Sequence, residues 1–151
     1  MKKLIALLAA FFTAYSVFAG GIAWYDNFGK AQEESKKTGK PILMLFTGSD
    51  WCGYCISMER AAFSKPNFQK FIQSKFVMFK ADFPRRTKLQ PGIAAQNNDL
   101  AEQYGIRGFP TVLITNSEGA VLAKTGFIRG NESAYKAEYE KILRRIGKQK
   151  D

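Results

Sequence analysis

The chain has 151 residues, with 23 Lys and Arg against 13 Asp and Glu, two Cys and no His. Its 46% hydrophobic and 24% charged content are those of an ordinary globular protein, and the length suits one domain. Without His, no Ser-His-Asp or Cys-His nucleophile pair can form, and two Cys complete neither a common zinc site nor an iron–sulfur site within one subunit. No cofactor or metal is therefore expected, and chemistry falls to carboxylates, Lys, Tyr or the cysteines themselves.

In chain order, Lys2 and Lys3 precede an apolar stretch from Leu4 to Phe18, and Val17-Phe18-Ala19 then leads into Gly20-Gly21. That is the pattern of an export signal cleaved after Ala19, and it is short of the roughly 20 apolar residues of a membrane-spanning helix. Residues 1–19 are thus expected to be a signal peptide and residues 20–151 the mature domain, periplasmic or secreted. A retained signal anchor is the alternative. Losing Lys2 and Lys3 lowers the formal charge from +10 to +8.

Ile22 to Phe28 reads as a short strand or packed arm. Lys30 to Thr38 is polar and helix-favouring, and Gly39-Lys40-Pro41 stops it. Pro41 to Thr47 is a near-continuous apolar run, as a strand buried on both faces would be. A turn at Gly48-Ser49-Asp50 opens a helix that begins at the cysteines and runs through Ala62. Pro66 to Lys75 predicts another helix with Pro in its first turn, and Lys75 to Phe83 a second strand. Pro84 to Gln96 reads as a loop, followed by a short helix from Asn97 to Tyr104 with Asn97 or Asn98 as its cap. Pro110 to Thr115 and Ala120 to Lys124 predict a hairpin across Asn116-Ser117-Glu118-Gly119. Glu132 to Ile146 closes the chain as an amphipathic helix with Tyr135, Tyr139, Ile142 and Ile146 on one face. The plan is α/β on one central sheet.

Cys52 and Cys55 are the chemical signal. A structural bridge stabilises more when it closes a long loop, and this one closes a very short one. At a helix start, the partial positive charge of the N-terminus favours thiolate at Cys52, and the thiolate is the attacking species in disulfide exchange. Cys55, about one turn further in, is placed to resolve a mixed disulfide. An inert bridge or free thiols are the competing readings. Haem attachment would want His after the second Cys, where Ile56 stands. The basic residues fall in separate clusters (Lys36, Lys37 and Lys40; Arg85, Arg86 and Lys88; Arg144, Arg145, Lys148 and Lys150) with no recognisable nucleic-acid module. No nucleic-acid partner is expected.

Trp51-Cys52-Gly53-Tyr54-Cys55 after a strand, and Tyr104-Gly105-Ile106-Arg107-Gly108-Phe109-Pro110-Thr111 before the next, resemble the thioredoxin superfamily. The similarity runs from about Pro41 to the C-terminus. Within the superfamily the chain is most similar to secreted bacterial thioredoxin-like disulfide oxidoreductases with a GSDWCxxC segment. The resemblance implies a thioredoxin fold, a central mixed β-sheet flanked by helices. It implies that Cys52 is the exposed nucleophile and Cys55 the buried resolving thiol. Pro110 would be cis, setting the Phe109 backbone to pair with an extended substrate, and Trp51 would shield the site. Thioredoxins carry a buried Asp six residues before the first Cys. That position is Phe46 here, and Met78 aligns with the Lys that accompanies it. Asp50 and Glu59 lie near in sequence and read as solvated surface groups. Gly-Tyr between the cysteines replaces the Gly-Pro of thioredoxins and is shared with bacterial disulfide isomerases, whose dimerisation domain this chain has no room for.

The resulting expectation is a monomeric, exported thiol–disulfide oxidoreductase that reduces or reshuffles protein disulfides, recycled by a membrane or periplasmic redox partner. A disulfide-introducing oxidant and a non-catalytic binding or chaperone module are the alternatives.

Overall fold

A computed structural model describes residues 20–148, so the expected signal peptide lies outside the described residues. The apolar run after Pro41 forms β1 (Ile42–Thr47), every residue of which is buried. Burial on both faces follows from its central place in a four-stranded sheet of order β2-β1-β3-β4, with β2 at Val77–Asp82, β3 at Thr111–Thr115 and β4 at Val121–Gly126. β1 pairs in parallel with β2 and antiparallel with β3, and β3 pairs antiparallel with β4, so the sheet is mixed.

Helices cover both faces. On one lie α1 (Phe28–Thr38) and α4 (Pro91–Gln103), which bring Ala31 and Leu100 onto Ile42, Met44, Phe46 and Phe79. On the other lie α2 (Gly53–Met58), α3 (Pro66–Lys75) and α5 (Glu132–Lys148). A π-helical turn, Glu59–Phe63, continues α2 without a break. This second layer is held by an aromatic knot in which Phe63, Phe68, Phe76, Tyr135 and Tyr139 are all at most 2% exposed. Each such side chain contributes about 1.5–3 kcal/mol by leaving water. The four α5 positions expected to face inward, Tyr135, Tyr139, Ile142 and Ile146, are its buried residues.

α1 begins earlier than its composition predicts, because Asn27 accepts the Lys30 N–H at 3.0 Å and caps it. Gly39 closes it in the left-handed conformation. The segment before α1 is the expected packed arm. Tyr25 bridges Phe79 in parallel and binds Met78 and Lys80 through its backbone, which covers the outer edge of β2. The expected loop from Pro84 to Gln96 is corrected. Helix α4 already starts at Pro91, where a proline needs no N–H partner, so the loop ends at Gln90. Asn97 and Asn98 are consequently interior to α4, not caps. Asn97 is buried, and its amide donates to the Asp82 carbonyl at 3.0 Å, tying the helix to the end of β2.

Candidate active site

The site forms where β1 ends. Cys52 is the N-cap of α2, with extended backbone angles, and its sulfur accepts the Cys55 N–H at 3.2 Å. The sulfur thus does what a Ser or Asp oxygen does at other helix starts. Cys52 and Cys55 are joined by a disulfide, their Cα atoms 5.2 Å apart, within the usual range for such a bond. Sequence reasoning expected an exposed Cys52. It is 7% exposed against 4% for Cys55, because neighbouring side chains shelter it. Cys52 Sγ also lies 3.6 Å from the Phe109 carbonyl. The Phe109–Pro110 bond is cis, as the resemblance implied. The turn before it is tied by Thr111, whose hydroxyl donates to the Gly108 carbonyl at 2.8 Å.

Trp51 and Phe109 line one depression with Cys52, and Pro110 follows Phe109 through the cis bond. The Trp51 ring stands edge-on to Phe109 with centroids 6.0 Å apart, and Phe109 stacks on Phe83 at 5.0 Å. The indole N–H of Trp51 donates to the Phe83 carbonyl at 2.8 Å, which fixes the ring.

Two expectations change. Asp50 is not an idle surface carboxylate. Its oxygens accept the backbone N–H groups of Arg85 at 3.0 Å and Arg86 at 2.7 Å. These bonds hold its carboxyl below the usual carboxylate range. The Arg85 guanidinium then lies over Trp51, its carbon 3.7 Å from the ring centre. The second change concerns the position of the thioredoxin Asp. Strand alternation turns Phe46 to the far face of the sheet, where it meets Tyr104. The residue behind Cys55 is Leu45, paired across the sheet with Lys80, and Met78 pairs one step deeper with Leu43. Leu45, not Phe46, is therefore the strand residue on the cysteine side of the sheet.

Leu45, Thr47, Glu59 and Lys80 share with Cys55 a cleft of about 420 Å³. Glu59 sits one helical turn after Cys55, and its own N–H bonds the Cys55 carbonyl. Sequence reasoning also missed an aromatic pair on the rim. Tyr54, 64% exposed, packs on Phe127, 39% exposed, with centroids 5.0 Å apart. Phe127 follows directly on β4, and nothing in its local sequence signals the contact. Among the described residues, no helix is long and apolar enough to cross a membrane.

Comparison with known proteins agrees with this geometry. The family model for a thioredoxin-like domain matches residues 28–141. A disulfide bond reductase, DsbH, of Chlamydia pneumoniae is 33% identical over 128 residues, which cover 85% of this chain and 76% of that protein. The thioredoxin-related protein DsbJ of the same organism is 28% identical over 82% of this chain, but the chain spans only 38% of its length. Among solved structures, a DsbH oxidoreductase superposes with a TM-score of 0.77 at 33% identity, covering 83% of this chain and 87% of that one. The fold is the thioredoxin fold.

Proposed function

Since the chain belongs to the thioredoxin-like family, we propose that it is an exported thiol–disulfide oxidoreductase that reduces or reshuffles protein disulfides through Cys52 and Cys55. The observation that carries this reading is the joining of those two residues at the start of α2, with Cys52 Sγ on the Cys55 N–H and beside the Phe109 carbonyl. In the dithiol form the same N–H would hold a Cys52 thiolate, favouring the charged nucleophile. Cys52 attacks a substrate disulfide, one substrate sulfur leaves, and Cys55 resolves the mixed disulfide to release the other.

Cys55 must lose its proton for that second step. No carboxylate stands at Leu45, and Asp50 is engaged with the Arg85–Arg86 backbone. Glu59, in the cleft with Cys55, is the carboxylate placed to take the proton, directly or through water. The cis-proline segment would align an extended substrate chain by backbone pairing, with Trp51 and Phe109 as its walls. The basic, apolar segment before Gly20 supports cleavage after Ala19 and work outside the cytoplasm, by a monomer recharged by a membrane or periplasmic dithiol partner.

Insulin-disulfide reduction by dithiothreitol tests the reading. The protein accelerates it, Cys52→Ser abolishes the acceleration, and Cys55→Ser accumulates a mixed disulfide at Cys52. Undiminished acceleration by Cys52→Ser would sink the proposal.

A further inference from the structure

The walls of the depression beside Cys52 are the 51–54 turn and the 106–109 segment. Arg107 is the charged residue among them, and it is exposed. A second cation arrives from elsewhere in the chain. The 83–86 segment is pinned to the cysteine turn at three points: Trp51 to the Phe83 carbonyl, and the Arg85 and Arg86 N–H groups to Asp50. The pins deliver the Arg85 guanidinium onto the Trp51 ring, one residue from the nucleophile.

Asp50 and Asp82, the carboxylates beside the pinned 83–86 segment, are otherwise engaged. Asp50 offsets part of the positive charge, but both its oxygens are spent on backbone N–H groups. Asp82 accepts the Ser49 N–H at 3.0 Å and the Ser49 hydroxyl at 2.5 Å. Arg85, Arg86, Lys88 and Arg107 are all exposed. Arginine suits this arrangement. Its face stacks on an aromatic ring while its edge keeps N–H donors matched to a carboxylate, and it sheds water more readily than Lys.

We infer that Arg85, stacked on Trp51, and Arg107, on the Phe109 segment, are specificity-determining residues that select disulfides flanked by carboxylates, such as peptides with Asp or Glu beside the cysteine. The inference rests on the oxidoreductase reading above. The chemistry is unchanged by it. A Cys52 thiolate forms an S–S bond with one substrate sulfur as the other leaves as thiolate. Cys55 then gives up its proton and attacks Cys52 Sγ, and the second substrate sulfur leaves. Two electrons pass to the substrate, and the Cys52–Cys55 bond closes. The arginines act on the encounter and on the pose of the mixed disulfide.

The test mixes the fully reduced protein, in single turnovers, with three small disulfides: anionic glutathione disulfide, neutral bis(2-hydroxyethyl) disulfide and cationic cystamine. Each rate is divided by that of the same disulfide with dithiothreitol, which removes intrinsic reactivity. The anionic-to-cationic ratio should be about tenfold or more at low salt, and should collapse toward one at high salt, where the screening length shrinks to about 3 Å. Arg85→Gln and Arg107→Gln should each lower the ratio by about threefold, whereas Arg85→Lys, which keeps the charge, should hold most of it. Any common effect on the Cys52 thiolate cancels in the ratio, and so does any loosening of the loop that slows all three disulfides alike. A wild-type ratio near one, or a ratio that both Gln variants leave intact, overturns the inference while the neutral disulfide is still reduced. Failure to reduce even the neutral disulfide would overturn the oxidoreductase reading, and this inference with it.

Discussion

Tyr135 and Tyr139 stand one helical turn apart on α5, both fully buried in the aromatic knot, and differ in what their hydroxyls meet. The Tyr135 hydroxyl accepts the Ile128 N–H at 3.1 Å, satisfying a backbone donor between β4 and α5. The Tyr139 hydroxyl finds no hydrogen-bond partner among the described residues, and its burial pushes its ionisation far above the ordinary phenol range. A buried polar group without a partner costs about 1–3 kcal/mol, while a satisfied one contributes about 0.5–1.5 kcal/mol. Tyr139→Phe should therefore raise the unfolding free energy by about 1 kcal/mol, and Tyr135→Phe should lower it by about the same amount. Urea midpoints at unchanged slope would read both effects. A Tyr139→Phe protein less stable than wild type would show that the hydroxyl is in fact satisfied.

At the scale of elements, β4 matters to the site through one residue. Gly126 ends the strand opposite Thr111, and a Cβ there would stand 2.9 Å from the Pro110 carbonyl oxygen. Backbone on the inner strand cannot move aside as a side-chain tip can. Gly126→Ala should cost about 1–3 kcal/mol by overpacking and slow disulfide exchange, because the displaced atoms belong to the Phe109–Pro110 segment. Gly92, in the first turn of α4, has open space around it, so Gly92→Ala should leave exchange unchanged and stability equal or slightly higher. Equal stability of Gly126→Ala and wild type would show that β4 does not press on the proline turn. The same elements show what was legible in the sequence. Strand β1 and helix α5 declare themselves by composition and period, because burial on both faces or on one stripe leaves a regular apolar pattern. Helix α4 hid its start behind a Pro-Gly pair that reads as a loop until the proline is recognised as the first helical residue. The CxxC pair and Pro110 were legible because their chemistry is local. Arg85, Phe127 and Lys80 were not, since the sheet and the pinned 83–86 segment bring them toward the site from tens of residues away, and Leu45 takes the place expected of Phe46 because strand alternation turns Phe46 to the opposite face.

For the molecule as a whole, the disulfide links stability to redox direction. Unfolding the oxidised and the dithiol forms closes a thermodynamic cycle, so their difference in unfolding free energy measures how far folding shifts the potential of the pair, at about 1.4 kcal/mol per 30 mV. Two local influences oppose each other here. The Cys55 N–H and the nearby arginines favour a Cys52 thiolate, which stabilises the reduced form and makes a protein oxidising. Against them, Cys52 is 7% exposed, walled by Trp51 and Tyr54, and the Phe109 carbonyl at 3.6 Å repels a negative sulfur. The chain also has no His to place between the cysteines, where Gly53 and Tyr54 stand. The second set should win. The oxidised protein should unfold at the higher denaturant concentration, and its measured potential should fall nearer about −270 mV than about −120 mV. Each measurement predicts the sign of the other through the cycle. A dithiol form more stable than the disulfide form, with a potential near the upper value, would make the protein an oxidant and reverse the direction of electron flow while leaving the exchange chemistry of Cys52 and Cys55 in place.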